Sequence, residues 1–296
     1  MSKILVVGSQ HAQPGEEQNL SNYREYLQAA AGENVQVCRA MLDDLTVDIA
    51  PHKFSVYDNV NESELSEYSL IIIRGMLRSE IDVVYCISEY ANLNRIPCVN
   101  DYRSAHSVSK LAQAVVFYKE DLSFPRTIYA AKENLKEIVS QGLLSTPFIY
   151  KDKFGSHGSQ NYLVDSIEKL GSITPDKMLA QEYIPNDGDY RVLIIGDKHL
   201  VIRRKSTGGS HLNNTSQGGT AELAEDFSPE IIKHCRQVAS KRGMRIAGVD
   251  VVINRDNQKY FFLEINSQPQ IKTGAFVAEK QRLISELVKS LLTEQS

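Results

Sequence analysis

The most constraining feature of this chain is a carboxylate set inside an apolar strand. Residues 247–253 read AGVDVVI. A buried and unpaired carboxylate is costly, so Asp250 demands a cation, either a metal ion or an arginine. After the polar turn RDNQ the chain returns as KYFFLEIN, residues 259–266, and the two runs form an antiparallel hairpin. Successive strand residues point to opposite faces, so Glu264 and Asn266 share one face, and the hairpin brings them alongside Asp250. Oxygen ligands gathered on one face suit a hard cation such as Mg²⁺. The plainer alternative is a wet strand end with Asp250 paired to a nearby arginine.

The chain has 296 residues, 42% of them hydrophobic and 24% charged, which fits two or three ordinary globular domains. A net charge of -4 without a basic block disfavours a nucleic-acid partner held through its phosphates. Cys38, Cys86, Cys98 and Cys235 form no CxxC pair and no cluster with histidine, which argues against structural zinc and fits a reducing, cytoplasmic setting. The opening MSKILVVGSQ reads as a first strand and not as a signal peptide. No run approaches the roughly 18 apolar residues of a membrane span, so no membrane partner is expected.

The order of elements predicts a mixed α/β protein. KILVVG, VQVCRA, SLIIIRG and IPCVND read as strands, with helices over NLSNYREYLQAA and residues 79–93. Such alternation predicts a parallel sheet covered by helices, over residues 1–103. Gly8 ends a strand before a helix, but no GxGxxG follows to support a dinucleotide site. Residues 104–180 change texture: a helix to Lys119, the strand FPRTIYA, the helix KENLKEIVSQG, then PFIYK, a glycine–serine loop and NYLV. Residues 181–296 are richer in strands. MLAQEYI and DYRVLIIGDKHLVIRRK read as antiparallel partners, with a hairpin turn at Gly196-Asp197. A long polar loop covers residues 206–220, Ser228 to Gly243 reads as a helix with Pro229 in its first turn, and a last helix covers about 276–292.

Several of these pieces carry candidate chemistry. Lys151 ends a strand before FGSHGS, where backbone N–H groups and an ammonium can cradle a phosphate; a strand-edge lysine before a flexible turn looks the same. The spacing is not that of a Walker loop, and His157 reads as a loop residue. QEYI followed by PNDGDYR can present a base-reading edge, with Glu182 or Asp189 near a ribose hydroxyl, or be an ordinary strand and turn. Arg191 and Arg204 on neighbouring strands can clamp an anion, or line a solvated face.

The collinear set Lys110, Lys151 with FGSHGS, QEYI and DYR, IRRK and NNTSQGG, GVDVVI and LEINSQP resembles the ATP-grasp superfamily. Within it the resemblance is to the branch of ribosomal S6 modification enzymes and bacterial glutathione synthetases, over about residues 97–292. It implies a lid subdomain at 104–180 and a C-terminal subdomain at 181–296, behind the α/β domain of residues 1–103. It implies that Lys110 and Lys151 hold ATP phosphates under a loop containing Gly155, Ser156, Gly158 and Ser159. Glu182, Tyr183 and Ile184 then match the adenine hinge and Asp189 a ribose contact. Arg191, Arg204 and Asn214 match residues of the catalytic centre, and Asp250, Glu264 and Asn266 the ligands of Mg²⁺, with Mn²⁺ as an alternative. Two positions depart from the pattern. Leu212 stands where the family often has arginine, and Gln270 stands where its end motif has glycine.

The reaction so implied is ATP-dependent joining of a carboxylate to an amine through an acyl phosphate, with an amino acid or peptide as substrate and a homo-oligomer allowed. Two alternatives stay open. One is an enzyme that crosslinks peptides by intramolecular amides or esters. The other is a nucleotide-binding protein without ligase activity.

Overall fold

The computed structural model describes residues 1–9, 15–75, 80–104, 109–155, 160–174, 178–206 and 219–294. The N-terminal unit starts with β1 (Ser2–Gly8), α1 (Glu16–Ala31) and β2 (Val35–Met41). Then come β3 (Leu45–Ala50), β4 (Lys53–Asp58), β5 (Ser63–Glu64), β6 (Leu70–Ile73), α2 (Ile81–Leu93) and β7 (Cys98–Val99). A parallel sheet runs in the order β2-β1-β6-β7. Ile4 and Val6 meet Leu20 and Leu27 of α1 on one face, while Leu5 and Val7 meet Val84 and Ile87 of α2 on the other. Burial on both faces is why these strands read as unbroken apolar runs instead of alternating. The antiparallel sheet β3-β4-β5 was not expected from the sequence. Its strands expose much of their length, so the apolar signal is weak, and only Val56 joins the core completely.

The middle of the chain gives α3 (Lys110–Lys119), β8 (Thr127–Tyr129), α4 (Lys132–Ser140), β9 (Phe148–Lys151), β10 (Asn161–Val164), α5 (Ile167–Ser172) and β11 (Leu179–Glu182). Its four strands form an antiparallel sheet in the order β10-β9-β11-β8. MLAQEYI was expected to pair with the strands that follow it. Instead β11 inserts between β9 and β8, so both its edges are occupied before the chain turns away at residues 183–188. The expected boundary at residues 180/181 therefore falls inside β11.

The last sheet contains β12 (Asp189–Ile195), β13 (Lys198–Lys205), β14 (Thr220–Leu223), β15 (Ile246–Ile253) and β16 (Tyr260–Asn266), with α6 (Pro229–Lys241) and α7 (Val277–Thr293). Its order is β14-β13-β12-β15-β16, and the turn at Gly196-Asp197 is the expected hairpin. One face packs Val192, Ile194, Val249 and Val251 against Ile231, Cys235 and Val238 of α6 and Phe117 of α3. The opposite face changes character along the strands. Leu193, Ile195 and Ile246 join α1 and α7 in a core shared with the N-terminal unit, whereas Asp189, Arg191 and Asp250 lie further along.

A bulge in β16 completes this division. Asp250 pairs with Glu264 and Val251 with Phe262, so Leu263 is the extra residue. Strict alternation would put Phe262 and Glu264 on one face. With Leu263 inserted, Phe262 enters the α6 core, against Phe117 at 5.6 Å between ring centroids, while Glu264 pairs with Asp250 on the charged face. Phe262→Ala, at a fully buried position, is expected to cost about 3–5 kcal/mol. A denaturant midpoint unchanged from wild type would contradict that packing.

Candidate active site

The charged face is assembled by register. Arg191 lies directly opposite Asp250 across β12 and β15, Asp250 opposite Glu264 across β15 and β16, and Asp189 opposite Arg204 across β12 and β13. Arg191 grips Asp250 with a fork, Nε to Oδ1 and Nη2 to Oδ2, each at 2.7 Å. Arg204 forks onto Asp189 at 2.6 and 2.9 Å and also reaches Asp250 Oδ2 at 3.2 Å. Burial pushes the Asp250 carboxyl up, but the two guanidinium groups outweigh it by charge and hydrogen bond and hold it down at about 2. The cation that Asp250 demands is therefore supplied by arginine, the second of the two readings its sequence allowed.

Asn266 joins this group to Glu264. Its amide lies 3.4 Å from Asp250 Oδ2, and the orientation that donates to Glu264 Oε1 at 3.1 Å also accepts from Arg191 Nη2 at 3.3 Å. Gly248, opposite Asn266, leaves the room this requires. A Cβ there would come within 3.3 Å of Arg191 Cδ and 3.1 Å of Pro269 Cβ.

Two lysines approach from outside the sheet. Lys110 opens α3, whose first turn is capped by Ser109 Oγ accepting from Ala112 N at 3.2 Å. Its Nζ donates to Gly155 O and lies 3.4 Å from Glu264 Oε1. Lys151 ends β9, only 8% exposed, and donates to Gln181 Oε1 at 2.7 Å. Gln181 in turn donates to Thr127 Oγ1 at 2.9 Å. Burial first, and then the charge of Lys110, lower the Lys151 pKa to about 8; Glu264 and Asp250 oppose the shift. An ammonium held by a neutral amide beside a second ammonium is short of negative charge, which is what an incoming anion supplies. The sequence reading missed Gln181, although β11 carries it between β8 and β9, where a polar side chain is out of place.

The structure thus brings Lys110, Lys151, Gly155, Asp189, Arg191, Arg204, Asp250, Glu264 and Asn266 to one cleft. Glu182 adjoins Gln181 but is exposed, and its carboxylate accepts from Arg126 N at 3.3 Å. Tyr183 and Ile184 follow where the chain leaves β11, with Ile184 buried and its carbonyl accepting from Asn186 Nδ2 at 2.8 Å. Asp189 faces Arg204 and is nearly covered, so it is not displayed to a ribose. Ser156, Gly158, Ser159 and Asn214 lie outside the described residues, as does Leu212. Among the described residues no three His, Cys, Asp or Glu side chains gather as a metal cluster. The oxygen set is two carboxylates and one amide.

A parallel α/β unit, two antiparallel sheets and a lysine-lined cleft between those sheets describe a nucleotide-dependent ligase of the ATP-grasp kind. The family model for the RimK-like ATP-grasp domain matches residues 107–287, and the chain belongs to that family. It is similar to a probable alpha-L-glutamate ligase of Aeromonas salmonicida, 25% identical over 274 residues that cover 88% of each chain. In fold it resembles the ATP-grasp ligase PsnB complexed with a minimal precursor, with a TM-score of 0.70, 16% identity and coverage of 100% and 99%. It also resembles the macrocyclase MdnC of Microcystis aeruginosa bound with the precursor peptide MdnA, with a TM-score of 0.66, 16% identity and coverage of 97% and 99%. The protein is an ATP-dependent ligase that forms C–N bonds. Among the described residues no helix is long and apolar enough to cross a membrane.

Asp250→Asn removes the charge that two guanidinium groups share. It is expected to cost about 3–5 kcal/mol, the usual result of breaking a buried pair from one side. The carboxyl pKa is depressed in the fold, so this stabilisation is present above the unfolded value of about 4 and fades as pH falls toward 2. Urea titrations of both proteins between pH 7 and pH 3 check the size and the pH sign.

Proposed function

We propose that the protein joins an amino acid, with L-glutamate the first candidate, to a carboxylate substrate through an acyl phosphate. The observation that carries this reading is the convergence of Lys110 and Lys151 on the cleft beside Glu264 and the Arg191–Asp250–Asn266 group. Lys110, Lys151, Arg191 and Arg204 outnumber Asp189, Asp250 and Glu264, so the cleft favours a polyanion such as the triphosphate of ATP. L-Glutamate is the candidate that the name of the Aeromonas relative suggests.

The chemistry has two displacements. A carboxylate oxygen of the first substrate attacks the γ-phosphorus, and the bond to the β,γ-bridging oxygen breaks to release ADP. The amine nitrogen then attacks the acyl carbon, the bond from carbon to phosphate oxygen breaks, and the amine loses its proton. Lys110 and Lys151 hold phosphate oxygens in both ground and transition states. Arg191, partly exposed on the cleft wall, neutralises the charge that develops on the transferred group. Arg204 is covered by Asp189 and Asp250, and its role is to position Asp250. Glu264 and Asn266, with Asp250 beside them, are hard oxygen donors that fit Mg²⁺, and these residues would hold it. The ion supplies charge neutralisation at the phosphates when bound. Lys153, over the rings of Tyr129 and Phe154 at 5.2 and 5.4 Å, adds positive charge near the same loop.

ADP release that depends on L-glutamate and a carboxylate partner, with hydroxylamine trapping the activated acyl group as a hydroxamate, tests this reading. Nucleotide turnover with neither amide nor hydroxamate formed would overturn it. A peptide that becomes one water lighter without gaining an amino acid would instead establish the crosslinking alternative.

Two variants separate the roles. Lys151→Met is expected to weaken ATP binding by one to two orders of magnitude, about 1.5–3 kcal/mol for a charge-assisted contact. Glu264→Gln is expected to bind ATP nearly normally and turn over far more slowly, because metal-borne neutralisation matters most in the transition state. The lowered pKa of Lys151 adds a pH signature. Phosphates raise that pKa on binding, so ATP binding takes up a proton near and above pH 8, and affinity falls as pH rises. Calorimetry in buffers of different ionisation enthalpy should show the uptake in wild type and lose it in Lys151→Met.

A further inference from the structure

A second group of polar side chains lies on the far side of Pro269. Arg74 follows β6 and is only 3% exposed. Its Nη2 donates to Tyr23 OH at 2.5 Å and to Pro269 O at 3.1 Å. Among the described residues its Nε and Nη1 are buried without an acceptor. Gln268 donates from Nε2 to Ile73 O at 3.3 Å and to Tyr102 OH at 3.1 Å, and among the described residues its Oε1 is buried without a donor. Among the described residues Tyr26 OH on α1 is likewise buried and unpartnered. An arginine buried for structural reasons finds partners for its donors, because a desolvated charge without them is expensive. Here two nitrogens of a guanidinium that stacks over the Tyr23 ring at 4.6 Å and one amide oxygen are left over among the described residues, side by side in space, since Gln268 bonds the carbonyl of the residue before Arg74.

Their place in the fold fits a ligand. Arg74 lies at the carboxyl end of β6 beside Ser9 at the end of β1, the edge of a parallel sheet where crevices form. Gly75, at φ +106°, draws the two strand ends together; a Cβ there would fall 2.6 Å from Ser9 Oγ. Pro269 links this crevice to the cleft. Its carbonyl takes Arg74, while its Cβ and Arg191 Cδ both press on the space above Gly248, at 3.1 and 3.3 Å.

We propose that Arg74 and Gln268 form a subsite for the head group of the amino-acid or peptide substrate, Arg74 taking its free carboxylate and Gln268 Oε1 one of its N–H groups. The assignment rests on the ligase reading above, because it places this head group one residue away from the arginine that faces the transferred phosphate. A donor set without a matching carboxylate among the described residues selects a ligand that brings its own. An amide or ester of the same substrate leaves the guanidinium uncompensated and binds poorly.

The test uses the full chain and two independent readouts. Crystals soaked in sodium bromide are expected to show anomalous density within hydrogen-bond distance of Arg74 Nη1 or Nε, absent in Arg74→Met. No such density in the wild type overturns the subsite, whatever the substrate proves to be. In the glutamate-dependent release of ADP, Arg74→Met is expected to raise KM for L-glutamate at least tenfold and to lower kcat much less, with Arg74→Lys in between. ATP affinity should stay within about twofold of wild type. An unchanged KM overturns the proposal. So does a melting temperature of Arg74→Met far below wild type together with an unchanged KM, which makes Arg74 structural. Failure of the ligase reading shows differently: the wild type then releases no ADP in response to glutamate, while the bromide result still decides the subsite.

Discussion

Everything at the cleft depends on Asp250 being kept ionised inside a sheet. The fork from Arg191 and the second contact from Arg204 do this, and they fix the arginines in return. Neither arginine can be placed there without the carboxylate, nor the carboxylate without them, since any one alone is a desolvated charge. The pairing follows from register, because Arg191, Asp250 and Glu264 occupy one cross-strand row. A slip of one residue in β15 would exchange Asp250 for Val249 or Val251 and put the charge in the α6 core. The apolar cores on both sides of the sheet thus also hold the site in register. The same strands that give Leu193 and Ile195 to the core shared with the N-terminal unit give Asp189 and Arg191 to the cleft.

What the ion network leaves over is positive charge. Asp250 is committed to arginines and Asp189 to Arg204, so Glu264 is the carboxylate that faces the lysines. Lys151 is held by a neutral amide, and burial first, then the charge of Lys110, lower its pKa to about 8. A site built only for stability would give that ammonium a carboxylate. Giving it Gln181 keeps it oriented without satisfying its charge, and so preserves its attraction for an anion.

Much of this was legible in the sequence where one residue type could serve only one purpose. Asp250 in AGVDVVI announced a buried charge, and the unbroken runs of β1 and β6 announced a parallel sheet. Glu264 and Asn266 were paired correctly by their two-residue spacing. The bulge at Leu263 was not legible, because periodicity counts residues and a bulge adds one without changing composition. Neither was the partner of Asp250, since a metal and an arginine satisfy a buried carboxylate equally well on paper. The pairing of β11 was misread because strands close in sequence usually pair, and nothing in LAQE says that both its edges are already taken. Arg74 in IIIRG looked like the end of a strand. Only its burial, with donors left unmatched, sets it apart.

The distribution of cores says which wall of the cleft can yield. α1, β1, β12 and α7 share one core, and α3, β12, β15 and α6 share another, so the N-terminal unit, α3 and the last sheet are welded through β12. The sheet β10-β9-β11-β8 has its own core around Phe148, Tyr150 and Leu170, with no member of the other two. Separating it from the rest exposes little apolar surface, whereas separating the other units would open a core. Lys110 therefore belongs to the body that carries Asp250 and Glu264, and Lys151 to the sheet that is free of it. The two ammonium groups repel each other when the sheet is near, and an anion between them would turn that repulsion into attraction on both sides. On the acyl-phosphate mechanism proposed above, a nucleotide is the group that would make the near position of this sheet favourable, and the contacts that bind its phosphates would also exclude water from the activated acyl group.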